Sequence, residues 1–380
     1  MATLLQKIKL LKGLLSGEFA YTEPFYVTVD LTSHCNLMCL GCPYHSPYVK
    51  TAPPDHSAIA NIPIHLIERL CKELKPMDTP TLTLAGTGEP LLHPDILNLI
   101  SAVKTAGFHT TLLTNGTLLE KNLIQAFIDL KFDVVKVSLW ATSPEQYQQN
   151  YPGTHPDNFQ KVIEGMKLVT DMKADQKSIF PSIILHFPIN RNNYQGIEAL
   201  VGLALATGCN GLSFAPMFDV EGALASYTLS PAEEKSVRQT LIQLRKRLNS
   251  LSLNHNIDET LLRYKMGSAV WQKMHCYIPW LNAQIMVDGT VRHCCRCNLS
   301  FGNLQDHTFQ EIWNGSSFRN FRRQTLASER LTSLNQYCNC AFCCYTRDNL
   351  RVHRVFKWFS PLLQHSKKKF YARRFVGRTL

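Results

Sequence analysis

The sequence predicts an α/β protein, six strand–helix units around a parallel sheet followed by a smaller cysteine-rich unit. Three observations carry this. From residue 25, short β-branched or apolar runs alternate with longer stretches of helical period, the pattern of βα units about a parallel sheet. After residue 217 that alternation stops. The thirteen cysteines gather at two places, three within 35–42 and eight within 276–344, leaving Cys71 and Cys209 apart. At 380 residues, 45% hydrophobic and 18% charged, the chain is large enough for one sizeable core and a second, smaller unit.

The elements follow in order. In residues 1–24, Leu4, Leu5, Ile8, Leu11, Leu14 and Leu15 recur at helical spacing with Lys7, Lys9 and Lys12 off the stripe, a basic amphipathic helix. Residues 25–220 hold six expected strands, at 25–31, 81–85, 110–114, 134–139, 181–187 and 211–217. Between them, Leu66, Ile67, Leu70 and Leu74 mark a helix, Pro63 and Pro94 suit helix starts, and Gly107 and Gly208 suit helix ends. Cys71 and Cys209 read as packing residues beside helices. Ser230-Pro231-Ala232-Glu233 is a capping box opening a connector helix within 221–260. Residues 261–350 form the cysteine-rich unit. Residues 351–380 carry nine Lys or Arg, no acid, and interleaved aromatics such as Phe356, Trp358 and Tyr371. These basic ends suit a docking helix with a solvated tail, or attachment to an anionic membrane surface or an acidic or phosphorylated substrate. No nucleic-acid motif accompanies the charge, so nucleic acid is the weaker partner. No apolar run reaches the length of a membrane span.

Clustered cysteines at ligand-like spacing, with no cleavable signal segment, point to iron–sulfur or metal ligation in the cytoplasm rather than a disulfide framework. Cys35, Cys39 and Cys42 follow the first strand, so one loop delivers three thiolates at the strand's C-terminal end, the edge where parallel α/β sheets bind ligands. Three thiolates can hold three irons of a cubane cluster and leave the fourth open. The alternative is zinc, with His34 or His45 as the fourth ligand.

Over residues 25–217 the sequence resembles the radical S-adenosylmethionine (SAM) superfamily, whose motif is Cys-x3-Cys-x2-Cys after the first strand of a partial (β/α)6 barrel. Gly86-Thr87-Gly88-Glu89-Pro90, after the second strand, looks like the family's Gly-Gly-Glu-Pro loop, with Thr87 replacing a glycine. The resemblance implies that Gly88, Glu89 and Pro90 meet the amino group of SAM, Glu89 pairing with that ammonium. It implies that Asn115, Ser138 and Asn190, at the ends of strands three, four and five, contact its ribose and carboxylate. The bland reading of Asn115 and Ser138 is a strand-end turn. Many relatives carry an aromatic residue just before the third cysteine; this chain has Gly41, with Tyr44 as the candidate substitute. The implied chemistry is reductive cleavage of SAM to a 5′-deoxyadenosyl radical that abstracts hydrogen from a substrate.

The second cysteine group runs Cys276-x12-Gly289-x4-Cys294, then Phe301-Gly302-Asn303-Leu304, and ends in Cys340-x2-Cys343. This layout looks like the SPASM and twitch extensions that hold auxiliary iron–sulfur clusters, with Gly289 turning a hairpin. The expectation is one auxiliary [4Fe–4S] cluster on Cys276, Cys294, Cys340 and Cys343, with zinc as the alternative. Cys295, Cys297, Cys338 and Cys344 are left over as alternative ligands, a partial second site or a hydrogen-donating thiol. A cluster ligated by protein alone would pass electrons.

The main expectation for function is a radical enzyme acting on a small-molecule, sugar or lipid-linked substrate, because only about 24 residues precede the first strand and the basic ends suit a membrane or phosphates. The alternatives are a maturase of a ribosomally made peptide or protein, and a non-catalytic electron-transfer protein. Partners include an external electron donor such as a flavodoxin or ferredoxin. The expected location is cytoplasmic, with peripheral attachment at the inner membrane surface. No catalytic residue is assigned; His186, Tyr194 and the Tyr151–Thr154 turn are candidates by position only, a lone strand histidine being more often a satisfied core residue.

Overall fold

The computed structural model describes residues 3–49, 59–77, 79, 81–220, 222–267, 274–326, 338, 340 and 343–356. Six parallel strands occupy the expected places: β1 Tyr26–Asp30, β2 Thr81–Ala85, β3 His109–Thr114, β4 Val134–Ser138, β5 Ser182–Ile189 and β6 Gly211–Pro216. Between them run α2 Ile64–Leu74, α3 Ile96–Thr105, α4 Lys121–Asp129, α5 Pro144–Asn150, α6 Asn158–Asp175 and α7 Ala199–Ala206, after an N-terminal α1 at Leu4–Ser16. The β-branched alternation explains the two faces of the sheet. Val27, Val29, Leu82, Leu84, Leu112, Val135, Val137, Leu185 and Phe214 are fully buried on one face, each such side chain stabilising the fold by roughly 1.5–3 kcal/mol. Their neighbours Thr28, Asp30, Thr83, Thr111, Lys136, Ser138, His186 and Ser213 share the other, polar face.

The sheet continues beyond six strands. β7 Asn254–His255 adds to β6, and β8 Asn282–Ile285 pairs in parallel with β1, its Gln284 opposite Thr28. β8 then turns at Gly289, φ +84°, into β9 Val291–Arg292, the expected hairpin. The order is β7-β6-β5-β4-β3-β2-β1-β8-β9, so the cysteine-rich segment is fused to the edge of the barrel sheet by backbone pairing. The connector is α8 Pro231–Ser250, opened by the Ser230/Glu233 capping box, followed by α9 Ile257–Met266. α10 Phe309–Trp313 and α11 Ser316–Leu326 close the second unit, and residues 346–356 are helical.

The apolar stripe of α1 docks by its second half. Leu14 is buried and Leu10, Leu11 and Leu15 pack against the core, whereas Leu4, Leu5 and Ile8 are 56–75% exposed. Most of the basic tail, 357–380, lies outside the described residues. No described helix is long and apolar enough to cross a membrane.

Candidate functional site

The loop after β1 is held by two neighbouring segments and by a turn of its own. Ser33 N donates to Ala60 O at 2.8 Å, Leu40 N to Asn150 O at 2.8 Å, and Cys42 N to Cys39 O at 3.0 Å. Cys35, Cys39 and Cys42 emerge from it half-buried. Burial pushes the Cys35 thiol up to about 11 and Cys39 well above its ordinary value, with the neighbouring sulfurs of the trio adding to both shifts. Burial likewise raises Cys42, although the amides of Tyr44 and His45, at 3.4 and 3.3 Å, favour its thiolate. Three such sulfurs crowd together as thiolates only against a strongly cationic core. A single zinc ion with 2.3 Å bonds holds its sulfurs about 3.8 Å apart. Among the described residues, the one trio of His, Cys or acid ligand atoms mutually within 4.8 Å lies elsewhere, so this donor set fits the wider spacing of a polynuclear iron–sulfur core.

The Gly86–Pro90 loop braces the cysteine loop through its backbone. Gly88 N donates to Thr32 O at 2.9 Å and Glu89 N to His34 O at 2.7 Å. A Cβ on Gly88 would lie 2.0 Å from His34 O, so only glycine permits this approach. Pro90 starts a short 3-10 helix that Glu89 caps. The Glu89 carboxylate is turned inward: it accepts from Thr114 Oγ1 at 2.6 Å, Asn115 N at 2.7 Å and Leu91 N at 3.1 Å. Burial pushes its carboxyl up to about 7 against these donors. The geometry makes Glu89 a tie between the β2 and β3 loops.

Asn115 reaches the cysteine loop, its Nδ2 donating to Asn36 Oδ1 at 2.8 Å. Ser138 Oγ accepts from Trp140 Nε1 at 2.9 Å. Asn190 is fully buried, giving Nδ2 to Asn150 and accepting from Asn192 N, so its amide serves a loop network. Gly41 packs against an indole. A Cβ there would meet the Trp140 ring at 2.9 Å, so the indole from the end of β4 fills the space a side chain at 41 would take. Burial, then Asp30, raises the Tyr44 phenol.

The polar face of the sheet carries buried titratable groups. Asp30 is buried and accepts both Gln284 Nε2 contacts, at 3.2 and 3.1 Å, across the β1–β8 pair; burial pushes it up to about 7. Lys136 is lowered to about 8 by burial, with Glu259 and Cys344 favouring its charge and Arg263 opposing it. His186 Nδ1 sits 3.1 Å from Ser213 O and is lowered by burial, then by Lys136 and Arg263.

In the second group Cys276, Cys294 and Cys343 are buried and Cys340 half-buried. Cys294 is raised by burial and then by Cys276, Cys340 and Cys344; Cys343 is raised by its hydrogen bond with Cys344, then by burial and the charges of Cys344, Cys276 and Cys340. Cys295 Sγ and Cys344 Sγ flank them 4.0 Å apart. Cys297 and Cys338 are joined by a disulfide across an isolated antiparallel bridge, beside His293. Trp140, Asn36, Asp30, Lys136 and His293 were not singled out from sequence. Only Asp30 offered a signal, a carboxylate ending an otherwise apolar strand.

Comparison with known proteins agrees with this geometry. Residues 29–203 match the radical SAM superfamily and residues 276–351 match an iron–sulfur cluster-binding domain, SPASM. The PqqA peptide cyclase of Ruegeria pomeroyi is 24% identical over 316 residues, 80% of this chain and 78% of the relative. The AdoMet-dependent heme synthase of Methanosarcina barkeri is 24% identical over 314 residues, 79% and 85% of the two chains. Among solved structures, Streptococcus suis SuiB bound to S-adenosylmethionine superposes with a TM-score of 0.63 at 17% identity, covering 86% of this chain and 74% of that one. At that identity the likeness concerns the fold.

Proposed function

We propose that this chain, which belongs to the radical SAM superfamily and carries a SPASM domain, is an enzyme that modifies a peptide or protein substrate. Its cofactors are S-adenosylmethionine and [4Fe–4S] clusters. In this reading Cys35, Cys39 and Cys42 hold the SAM-binding cluster, and Cys276, Cys294, Cys340 and Cys343 hold an auxiliary one. Bound there, cluster and SAM supply a 5′-deoxyadenosyl radical able to remove a hydrogen atom from the substrate. The chain's own residues do the rest. Gly88 and Glu89 brace the cysteine loop, Gly88, Pro90, Asn115 and Ser138 lie along the SAM-facing rim, and Asp30, Lys136 and His186 line the polar wall where a substrate sits. Electrons come from an external donor of the flavodoxin or ferredoxin class.

The observation that carries the peptide reading is the PqqA peptide cyclase match, which spans about four fifths of each chain. It favours the maturase over the small-molecule, sugar or lipid-linked substrate expected from the basic ends. The test is anaerobic reconstitution with iron and sulfide, then SAM, dithionite and synthetic peptides encoded beside the gene. A substrate peptide loses hydrogen by intact mass and raises 5′-deoxyadenosine roughly tenfold over the peptide-free rate. Stimulation by tetrapyrrole or nucleotide probes, with every peptide inert, overturns the reading.

A further inference from the structure

Cys297 and Cys338 lie outside the auxiliary ligand set, yet both are buried and they face each other across an antiparallel bridge. Two thiols alone would suggest a disulfide and nothing more. The third member changes the chemistry: one ring nitrogen of His293 and both sulfurs lie mutually within 4.8 Å, and all three residues are buried. No other such trio occurs among the described residues, so single-ion spacing is found here and not at either set of expected cluster ligands. The donor set, two sulfurs and an imidazole with no carboxylate, is the one that borderline-soft divalent ions select. The imidazole is held in place. Its ring packs 4.6 Å from Phe321 and 5.9 Å from Phe301, and Asn282 Nδ2 donates to the His293 carbonyl at 2.7 Å.

We propose that His293, Cys297 and Cys338 form a separate site for one zinc-class divalent ion. The bond joining the two sulfurs opens on accepting two electrons and two protons from a dithiol reductant, which becomes a disulfide. The two thiols then lose their protons and bind the ion as thiolates, with the imidazole as third ligand and water as fourth. A chain whose other cysteines must stay reduced to hold iron works where such a dithiol persists. The position suggests its use. His293 adjoins Cys294, its Nε2 3.4 Å from that sulfur, and Cys338 precedes Cys340 by two residues. One ion there would link the segment that carries Cys294 to the one that carries Cys340 without supplying a ligand to the cluster. This site does not depend on the nature of the substrate.

The test uses the full chain, expressed with zinc in the medium, purified anaerobically with a dithiol present and reconstituted with iron and sulfide. Metal and sulfide counts should give about one zinc per chain, and zinc-edge X-ray absorption two sulfurs near about 2.3 Å and one nitrogen near about 2.0 Å. His293→Gln and Cys297→Ser should each lower zinc at least roughly fivefold with iron and sulfide unchanged, whereas Cys295→Ser keeps it. The absorption measurement needs only the unaltered chain, so it decides the matter even if a variant misfolds. A shell of four sulfurs, placing zinc at the cluster ligands, overturns the proposal. So does a chain without stoichiometric zinc, whether Cys297 and Cys338 are mapped as a disulfide or as thiols.

Discussion

At Gly88 a missing side chain decides how two loops meet. Its absent Cβ would stand 2.0 Å from a backbone oxygen, which cannot rotate aside as a side chain could. Gly88→Ala must therefore part the loop from Thr32 and His34, at a cost of about 2–3 kcal/mol or more. The loss should appear in denaturant unfolding and as weakened iron retention on the cysteine loop; a variant with unchanged midpoint and iron content contradicts the bracing role. Asp30 makes the second case. Its carboxyl rises from 3.8 to about 7 because burial outweighs the hydrogen bonds from Gln284 and the charge of Arg292. The folded chain then keeps a proton that the unfolded chain has released. Stability from this group is present below about pH 4, declines as pH climbs through 7, and the whole decline amounts to at most about 4 kcal/mol. Asp30→Asn should flatten this slope and unfold at a higher temperature than the parent at pH 8. Thermal melts from pH 5 to 8 check it, and parallel slopes for the two proteins would refute it.

Strand and helix placement was largely legible in the sequence because the signals are local. Val27 and Val29 alternate with Thr28 and Asp30 as a half-buried strand requires, and β1 to β4 end within two residues of their expected limits. The Ser230/Glu233 box and Gly289 likewise act within a few residues of themselves. What escaped is long-range. Nothing local tells β8 to pair with β1 some 250 residues earlier, or Trp140 to occupy the space beside Gly41. Arg322 on α11 belongs to this class. It is fully buried without an acid partner among the described residues, its guanidinium donating to Pro279 O at 2.9 Å, Asn314 Oδ1 at 3.1 Å and Glu18 O at 3.4 Å, and lying 4.5 Å from the Trp313 ring centre. A planar fork reaches three acceptors that a point charge cannot. Arg322→Lys should cost about 2–4 kcal/mol, more than a lysine swap at the exposed Arg323, when the two are compared by denaturant midpoint.

Across the whole molecule, the sheet order puts both cysteine groups beside one strand. β1 delivers Cys35, Cys39 and Cys42 from its C-terminal end, and its neighbour β8 leads through β9 to Cys294. The two sites nevertheless have separate supports. The first is held by the Gly86–Pro90 loop, Ala60, Asn150 and the Asn36–Asn115 pair, none of which belongs to the second unit. The second is held by the β8–β9 hairpin, the Cys297–Cys338 bridge and the hydrogen bond from Tyr277 N to Asn349 Oδ1 at 2.7 Å. Removing ligands from one should therefore leave the other formed. Cys294→Ala is expected to lose about four irons per chain, one cubane's complement. Its substrate-free cleavage of SAM to 5′-deoxyadenosine should stay within roughly threefold of the parent, about 0.7 kcal/mol in barrier, while peptide modification stops. Cys39→Ala should show the reverse order, with SAM cleavage abolished and the second iron complement retained. Iron counting paired with 5′-deoxyadenosine assays separates these outcomes. Simultaneous loss of both iron complements from Cys294→Ala would mean that the β1–β8 seam, with its Asp30–Gln284 contact, couples the two sites into one cooperative unit.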